Sequence, residues 1–379
     1  FQLISREVEL IPNPDVVIKP QADHRTNGLA LQTDWTFAKN HFLIVGIDAW
    51  ERSYTGERKK TIESQNKIIT DKPVPNSKFG NLGFFANDEM HLMQNRFKLN
   101  FGARYDLIKV TNEQTNNPVS IFTNGIEIIP PPNPDASYAA TEVNNSSWSG
   151  NVGLLYSLFE DVSLTFNTAY SFRSPSLEER YQYINLGSTV YYGNPNLEPE
   201  KGLFYDLGVR VWKNKFSFTA DGFVNLFADL VVDQPISDSS YQKDNVGKAR
   251  LIGFDGKLEY NFLKNHILYS SLAYVNGMDT ESNEYLPQIP PLNGTVGLKL
   301  SFKNYLDMDL SATFYDEQNK ISPNEELAKG YVYFDIAINS FPINISLFNL
   351  QVFAGVENIF DTSYRSHLST YRGINLTEP

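Results

Sequence analysis

Along most of this chain apolar and polar residues alternate one for one. Between Val162 and Arg173, the residues Val162, Leu164, Phe166, Thr168, Tyr170 and Phe172 fall on one face; Ser163, Thr165, Asn167, Ala169, Ser171 and Arg173 fall on the other. A period of two marks a strand with one apolar face. The split recurs with Phe97, Leu99, Phe101, Ala103 and Tyr105 against Lys98, Asn100, Gly102, Arg104 and Asp106. It recurs again with Leu306, Met308, Leu310, Ala312 and Phe314 against Asp307, Asp309, Ser311 and Thr313. Applied throughout, the pattern predicts about fifteen strands. They cover residues 3–10, 28–37, 41–54, 79–92, 96–110, 148–159, 162–172, 203–212, 216–232, 249–262, 267–278, 292–302, 305–315, 331–339 and 350–360.

The connections between these strands are unequal. At one end they are tight and often carry Lys-Asn, at Lys39-Asn40, Lys213-Asn214, Lys264-Asn265 and Lys303-Asn304, joined by Met93-Gln94-Asn95-Arg96 and Glu160-Asp161. Asn tolerates the left-handed backbone that such turns need. At the other end lie long polar loops, at 55–77, 111–147, 174–200, 233–248, 316–329 and from 361 onward. Loops of that length in a compact domain are functional or disordered. Short turns on one side and long loops on the other are what outer-membrane barrels show. The predicted fold class is therefore all-β, a transmembrane antiparallel β-barrel with its apolar face toward lipid and its long loops outside. A soluble sandwich shares the alternation, while a propeller or solenoid would add a repeat of constant length, and none is found.

Composition is compatible with that picture. No apolar run approaches the roughly eighteen residues of a membrane helix, and a mean hydropathy of -0.34 excludes nothing, because only alternate residues of a barrel strand need be apolar. A net charge of -12 without a basic stripe argues against a nucleic-acid partner. The chain opens on Phe1 without Met or an export signal, and residues 1–379 read as a partial barrel from a longer protein. A barrel of this width cannot fill its lumen with its own side chains. Inward charges such as Asp34, Arg104, Asp206, Arg210, Asp255, Lys257, Glu259, Asp307 and Asp309 then face water or a plugging domain.

Four segments carry a family resemblance. Arg173-Ser174-Pro175-Ser176-Leu177-Glu178-Glu179-Arg180-Tyr181 follows Phe172, and Gly193-Asn194-Pro195-Asn196-Leu197-Glu198-Pro199-Glu200-Lys201-Gly202 introduces the next strand. Together they resemble the Phe-Arg-Ala-Pro and Asn-Pro-Asn-Leu boxes of TonB-dependent outer-membrane receptors. Phe85-Ala86-Asn87-Asp88-Glu89 with Leu99-Asn100-Phe101-Gly102-Ala103-Arg104-Tyr105-Asp106 resembles that family's mid-barrel hairpin. Val356-Glu357-Asn358-Ile359-Phe360-Asp361-Thr362-Ser363-Tyr364 with Tyr371-Arg372-Gly373 resembles the segment before its last strand. The resemblance runs from about Phe79 to Pro379. It implies a barrel of about twenty-two strands around an amino-terminal plug, importing a scarce ligand with energy from TonB. Counted back from the last predicted strand, the first strand here would be about the seventh, with the plug, the TonB-contacting region and the closing strand absent.

The boxes are associated with haem and haemoglobin receptors, which the resemblance gives an iron-ligating His in the intervening loop. Residues 177–193 hold no His, but they do hold Tyr181, Tyr183, Tyr191 and Tyr192, and a tyrosinate can ligate haem iron. Any one of the same tyrosines reads more readily as a rim aromatic or as loop packing. By topology His41, His91 and His266 lie beside the short turns, whereas His24 and His367 lie on the outer side. Arg52, Arg58, Lys59 and Lys60, with Arg173 and Arg180, could attract an anionic iron complex or lipopolysaccharide phosphates. Met90-His91-Leu92-Met93 offers soft ligands suited to copper, at a short turn that an external ligand does not reach.

The expected ligand-contact residues are thus Arg173, Arg180, Tyr181, Tyr183, Tyr191, Tyr192 and His367. No nucleophile, base and orienter set is visible; the reading is not an enzyme, and neither a cofactor nor a metal-ligand spacing is called for. The expected function is TonB-dependent uptake of an iron complex, haem or ferric siderophore, across the outer membrane of a Gram-negative type bacterium. Expected partners are outer-membrane lipid and lipopolysaccharide, the iron complex, and TonB through the missing amino-terminal region. The alternatives are import of cobalamin, copper or another nutrient, or a passive porin or adhesin.

Overall fold

A strand whose partner lies one tight turn away closes its ladder locally, and a chain of such pairs becomes one antiparallel sheet. The computed structural model of the chain, which describes residues 1–130, 133, 137–185, 189–302, 305–323 and 325–369, has this form. The predicted Lys303-Asn304 turn and the Tyr371-Arg372-Gly373 motif lie outside the described residues. Fifteen strands follow one another as staves. The first five are β1 (Gln2–Glu7), β2 (Val16–Phe37), β3 (His41–Ile62), β4 (Ser77–Leu92) and β5 (Phe97–Asn112). The next five are β6 (Thr141–Phe159), β7 (Val162–Arg173), β8 (Glu200–Lys213), β9 (Phe216–Ser237) and β10 (Ser240–Leu263). The last are β11 (His266–Asp279), β12 (Asn293–Phe302), β13 (Leu306–Tyr315), β14 (Tyr331–Ser340) and β15 (Phe353–Val356). Each pairs antiparallel with the next.

The two faces differ as the alternation predicts. On one face large apolar side chains stand uncovered, among them Leu29 at 66%, Leu31 at 61%, Trp35 at 54% and Leu207 at 64% exposure. A water-soluble sheet would bury that face. The other face is polar: the Arg104 guanidinium donates to Asp48 at 2.6 Å and to Asp106 at 2.6 Å, and Asn81 donates to Asp106 at 3.0 Å. Gly83 makes room for this network, since a Cβ there would lie 1.9 Å from Arg104 Nη2.

Toward the long-loop end the polarity inverts. In β5 the face that carries Arg104 and Asp106 continues with buried Ile108 and Val110, while Lys109 on the opposite face pairs with Glu142 at 2.8 Å. That inversion marks where the apolar band stops.

Three expectations need correction. First, the staves run well past the predicted boundaries: β2 begins at Val16, β3 reaches Ile62, β6 begins at Thr141, and the segment 233–248 is mostly the tip of one tall β9–β10 hairpin. The backbone ladder continues after the outward face turns polar, so hydrophobic alternation underestimates strand length. Second, the last strand is Phe353–Val356, not 350–360. Asn358 and Asp361 have φ of 49° and 51°, which breaks the ladder, and Phe348–Leu350 instead pairs with Ile343–Ile345 in a small separate hairpin. Third, Asn takes the left-handed role at Asn95 and Asn265, but in the turn after β2 Ala38 and Lys39 take it instead of Asn40.

Candidate functional site

The loop from β7 to β8 is fastened at its base by the two proline-containing boxes. Pro175 fixes φ where the chain leaves the sheet, and Ser176 then caps a single turn of helix, α1 (Leu177–Tyr181). Its hydroxyl accepts from the Glu179 N–H at 3.1 Å, and the Glu179 carboxylate accepts from the Ser176 N–H at 2.7 Å, a reciprocal capping box. The same carboxylate receives Arg173 in a fork at 2.8 and 2.9 Å. Arg173 also donates to Glu200, whose other oxygen accepts from the Val231 N–H at 2.8 Å. One guanidinium therefore links the end of β7, the start of β8, the helix and β9.

The second box packs against the helix from the other side. Gly193 is needed for that approach, because a Cβ would lie 2.5 Å from the Tyr181 nitrogen. Asn194 donates its N–H to the Glu179 carbonyl at 3.0 Å, and Pro195 presents its carbonyl to Arg180 Nη1 at 2.8 Å. Asn245 on β10 closes the group, accepting from the Glu198 N–H at 2.8 Å and donating to the Glu198 and Asp229 carbonyls.

Farther along, α1 is buried against the wall. Leu177 and Tyr181 join Tyr54, Val74, Ile108 and Val110 in one apolar cluster, with Tyr138 and Phe172 packed around it. The Tyr181 hydroxyl lies 3.1 Å from Thr141 Oγ1, and Tyr138 donates to the Gln182 carbonyl at 2.9 Å. Burial pushes the Tyr138 phenol up to about 12, so it stays a neutral donor. Arg180 is also fully buried, and desolvation lowers its pKa from the ordinary guanidinium value. Turned so that its oxygen faces the loop, the Asn145 amide accepts from Arg180 Nη2 at 3.2 Å.

Of the residues expected to meet a ligand, Arg180 and Tyr181 have no exposed surface. In this structure neither offers an atom to an incoming molecule, and both anchor the loop instead. Tyr183, Tyr191 and Tyr192 are half-buried at its far end. Tyr183 and Tyr192 rings sit 5.9 Å apart, and Tyr191 stacks on Tyr241 at 5.2 Å. Tyr183 opens onto a cavity of about 200 Å3 whose wall includes Arg58, Lys60, Asp71 and Asn117. Arg58 is held there by a fork to Asp71 at 2.9 and 2.7 Å, and Lys59 pairs with Glu57 at 2.9 Å.

His367 lies elsewhere. It is buried beside Glu325 at 3.6 Å and borders a different cavity, of about 380 Å3, with Tyr331, Tyr364 and Arg365. Tyr331 and Tyr364 stack at 4.3 Å, extended by Tyr315 and Tyr333. The structure therefore gathers Arg173, Tyr183, Tyr191 and Tyr192 on one loop and puts His367 in a second place. Sequence reading missed Glu179, Glu200, Asn245 and Tyr241; the Glu at the third helical position after Ser176 was the legible signal for the first of them. The soft-metal stretch is at the short-turn end, where His91 is engaged by Glu89 at 2.5 Å and Asn95 at 2.9 Å.

We expect Arg173→Ala to free the loop base and leave two carboxylates without their cation. A charge-assisted hydrogen bond contributes about 1.5–3 kcal/mol, and the half-exposed arginine sets the lower end of that range. Limited proteolysis should cut within 177–193 about tenfold faster than in the parent, and an unchanged rate would refute the clasp. Acid should act similarly. Burial opposes ionisation of Glu179, but Arg173 and the Ser176 N–H outweigh it and hold the carboxyl below its ordinary value. The clasp is then fully formed above the ordinary glutamate pKa of about 4.3 and loosens as pH falls through the lower folded value.

A family model described as TonB dependent receptor-like, beta-barrel, matches residues 12–359. The chain belongs to that family. Heme/hemopexin utilization protein C of Haemophilus influenzae (strain 86-028NP) is 25% identical over 240 residues, covering 56% of this chain and 33% of that protein. The solved copper transporter OprC superposes with a TM-score of 0.78 at 22% identity, over 97% of this chain and 56% of that one. The hemophore receptor HasR of Serratia marcescens, solved as a double mutant with its hemophore HasA and heme, gives 0.67 at 16% identity, over 96% and 63% of the two chains. The chain thus spans about a third of the length of the curated relative and somewhat over half of the solved ones.

Membership in this TonB-dependent receptor family fixes the meaning of the two faces. The sheet is a stretch of barrel wall whose uncovered apolar face meets lipid. Its polar face, with the Arg104, Asp48 and Asp106 network, looks into the lumen. No helix among the described residues is long and apolar enough to cross a membrane, and the crossing is made by strands.

Proposed function

We propose that this chain is part of the barrel of an outer-membrane receptor that takes up an iron complex, haem or a ferric siderophore, with energy delivered by TonB through a region outside residues 1–379. The long loops face outward, and no covalent chemistry takes place in the barrel. The observation that carries this reading is the β7–β8 loop, pinned at base and middle while Tyr183, Tyr191 and Tyr192 stand half-buried at its far end. Phenol oxygens are hard donors that suit ferric iron and can ligate haem, and their rings supply flat surface for an aromatic ligand. Arg173 and His367 remain candidate contacts, the first at the loop base and the second in its separate cavity. The names of the Haemophilus influenzae and Serratia marcescens relatives, and of the ferrienterobactin receptor of Escherichia coli (strain K12), point toward haem and iron complexes, while OprC is named for copper.

Growth under iron starvation tests the proposal. A strain lacking the intact gene should lose growth on haem or on one ferric siderophore as sole iron source and regain it on complementation. Replacing Tyr183, Tyr191 and Tyr192 together by alanine should reduce binding of that complex by about ten- to a hundredfold, in line with hot-spot aromatics of about 1–3 kcal/mol in total. If the deletion strain uses every iron source as the parent does, the iron reading fails.

A further inference from the structure

The lipid-facing wall between β8 and β11 is indented by a groove of about 680 Å3. Its floor is made by Gly222, which sits in register between Leu207 and Phe254, and by Gly256, between Ala220 and Leu272. Residues in register share a face, so both glycines point at lipid. Nothing in the chain requires glycine at either position. A Cβ on Gly222 would meet only the Gly253 carbonyl at 4.0 Å, and one on Gly256 only ordinary contacts at 3.5 and 3.9 Å. Neither has a positive φ. What the missing side chains create is open space on the lipid face.

Charge at the outer end of this groove is distinctive. Arg250 and Lys248 follow Phe254 on the same face, four and six residues toward the long-loop end, or about 13 and 20 Å at the rise of a strand. Among the described residues neither is paired with a carboxylate, whereas neighbouring Lys201 is neutralised by Asp229 at 2.8 Å. A further cation is placed alongside, where Lys320 donates to the Tyr274 hydroxyl at 2.7 Å, in register with Phe254.

The same wall supplies an internal comparison. A second lipid-facing hollow, of about 820 Å3 around Gly80, is also open above its glycine. Its rim charges cancel, Lys78 with Glu51 at 3.5 Å and Lys109 with Glu142 at 2.8 Å. Apolar space alone is thus common to both hollows, and uncompensated cations at the level of the lipid headgroups belong to one.

We propose that the Gly222 and Gly256 groove seats an acyl chain of a phosphorylated outer-leaflet lipid of the lipid A type, with Lys248 and Arg250 holding its phosphate. This rests on the outer-membrane barrel reading above. The test uses the intact receptor purified in detergent, titrated with bisphosphorylated lipid A, with lipid A stripped of phosphate, and with phosphatidylglycerol, and read by native mass spectrometry. The parent should retain bisphosphorylated lipid A and release the other two. A basic side chain at an anionic lipid surface is worth about fivefold, so K248Q/R250Q should lose roughly twentyfold in retention. G222L/G256L should fill the groove and lose about fivefold or more, and G80L at the other hollow should match the parent. Parent-like retention by K248Q/R250Q, or equal retention of phosphatidylglycerol, overturns the proposal. Should G222L/G256L fail to fold, seen as lost heat-modifiable mobility on gels, the charge variant decides alone. Binding of the iron complex by the same parent sample is measured separately. Its absence counts against the receptor reading and leaves the lipid result interpretable.

Discussion

Tyr181→Ala is expected to detach the β7–β8 loop from the barrel wall and to remove most binding of the iron complex proposed as its ligand. The ring has no exposed surface and is surrounded by residues from three distant parts of the chain, Tyr54, Val110 and Tyr138. Truncating a buried aromatic costs about 3–5 kcal/mol, far more than one turn of helix can recover by itself. The whole segment from Leu177 to Asn185 should therefore open locally while the staves remain paired. Amide hydrogen exchange is the direct measurement, with protection across 177–185 falling by two orders of magnitude or more. Tyr181→Phe keeps the packing and loses only the contact with Thr141 at 3.1 Å, so its cost should be about 1 kcal/mol. Equal protection in the alanine variant and the parent would mean that the loop is held by something other than this cluster.

Leu207→Arg should produce the largest effect on insertion. Leu207 is 64% exposed and lies in the middle of β8, between Lys201 near one end and Trp212 near the other. On a soluble surface such an exchange is nearly neutral. At the lipid face of a barrel it costs about 2–4 kcal/mol near the midplane. Refolding the intact receptor into bilayers across a urea series separates the two cases. Lys257→Gln, on the lumen side of β10, should stay within about 0.5 kcal/mol of the parent. A Leu207→Arg protein that refolds like its parent would remove Leu207 from the lipid face.

The staves were legible because their physics is local. A period of two survives at Val162 to Arg173 whatever the strand is paired with, and the Lys-Asn turns separate one such run from the next. Strand ends were harder to read. Beyond Leu107 the outward residues become Lys109 and Thr111, and at the β9–β10 tip Asp233, Gln234, Ser239 and Gln242 make both faces polar. A hydrogen-bonded ladder persists there without any hydrophobic signal. The site divides in the same way. Tyrosines in a long outer loop could be noticed from sequence, but the burial of Arg180 and Tyr181 depends on Tyr54, Val110 and Tyr138, and no local pattern connects residues that far apart. The two boxes were recognised as motifs. That they are the two halves of one clasp, joined through Arg173, Glu179 and Glu200, is visible only in the folded chain.

The stacking of Tyr191 on Tyr241 belongs to a backbone pairing that fixes the loop before any ligand arrives. Residues Val190–Tyr192 run parallel to Ser240, Tyr241 and Gln242 at the tip of the β9–β10 hairpin, with the Val190 N–H donating to the Ser239 carbonyl at 2.9 Å. The loop is thus tethered at Arg173, at Tyr181 and again at this tip. A segment fixed at three points has already lost most of its conformational freedom before a ligand arrives, and ordering costs of about 0.5–1.5 kcal/mol per side chain are largely absent from the binding step. On the proposed function, selectivity would then come from how well a rigid ligand fits Tyr183, Tyr191 and Tyr192 as they stand. On the same reading, flexible ligands that need the loop to reshape around them would be disfavoured.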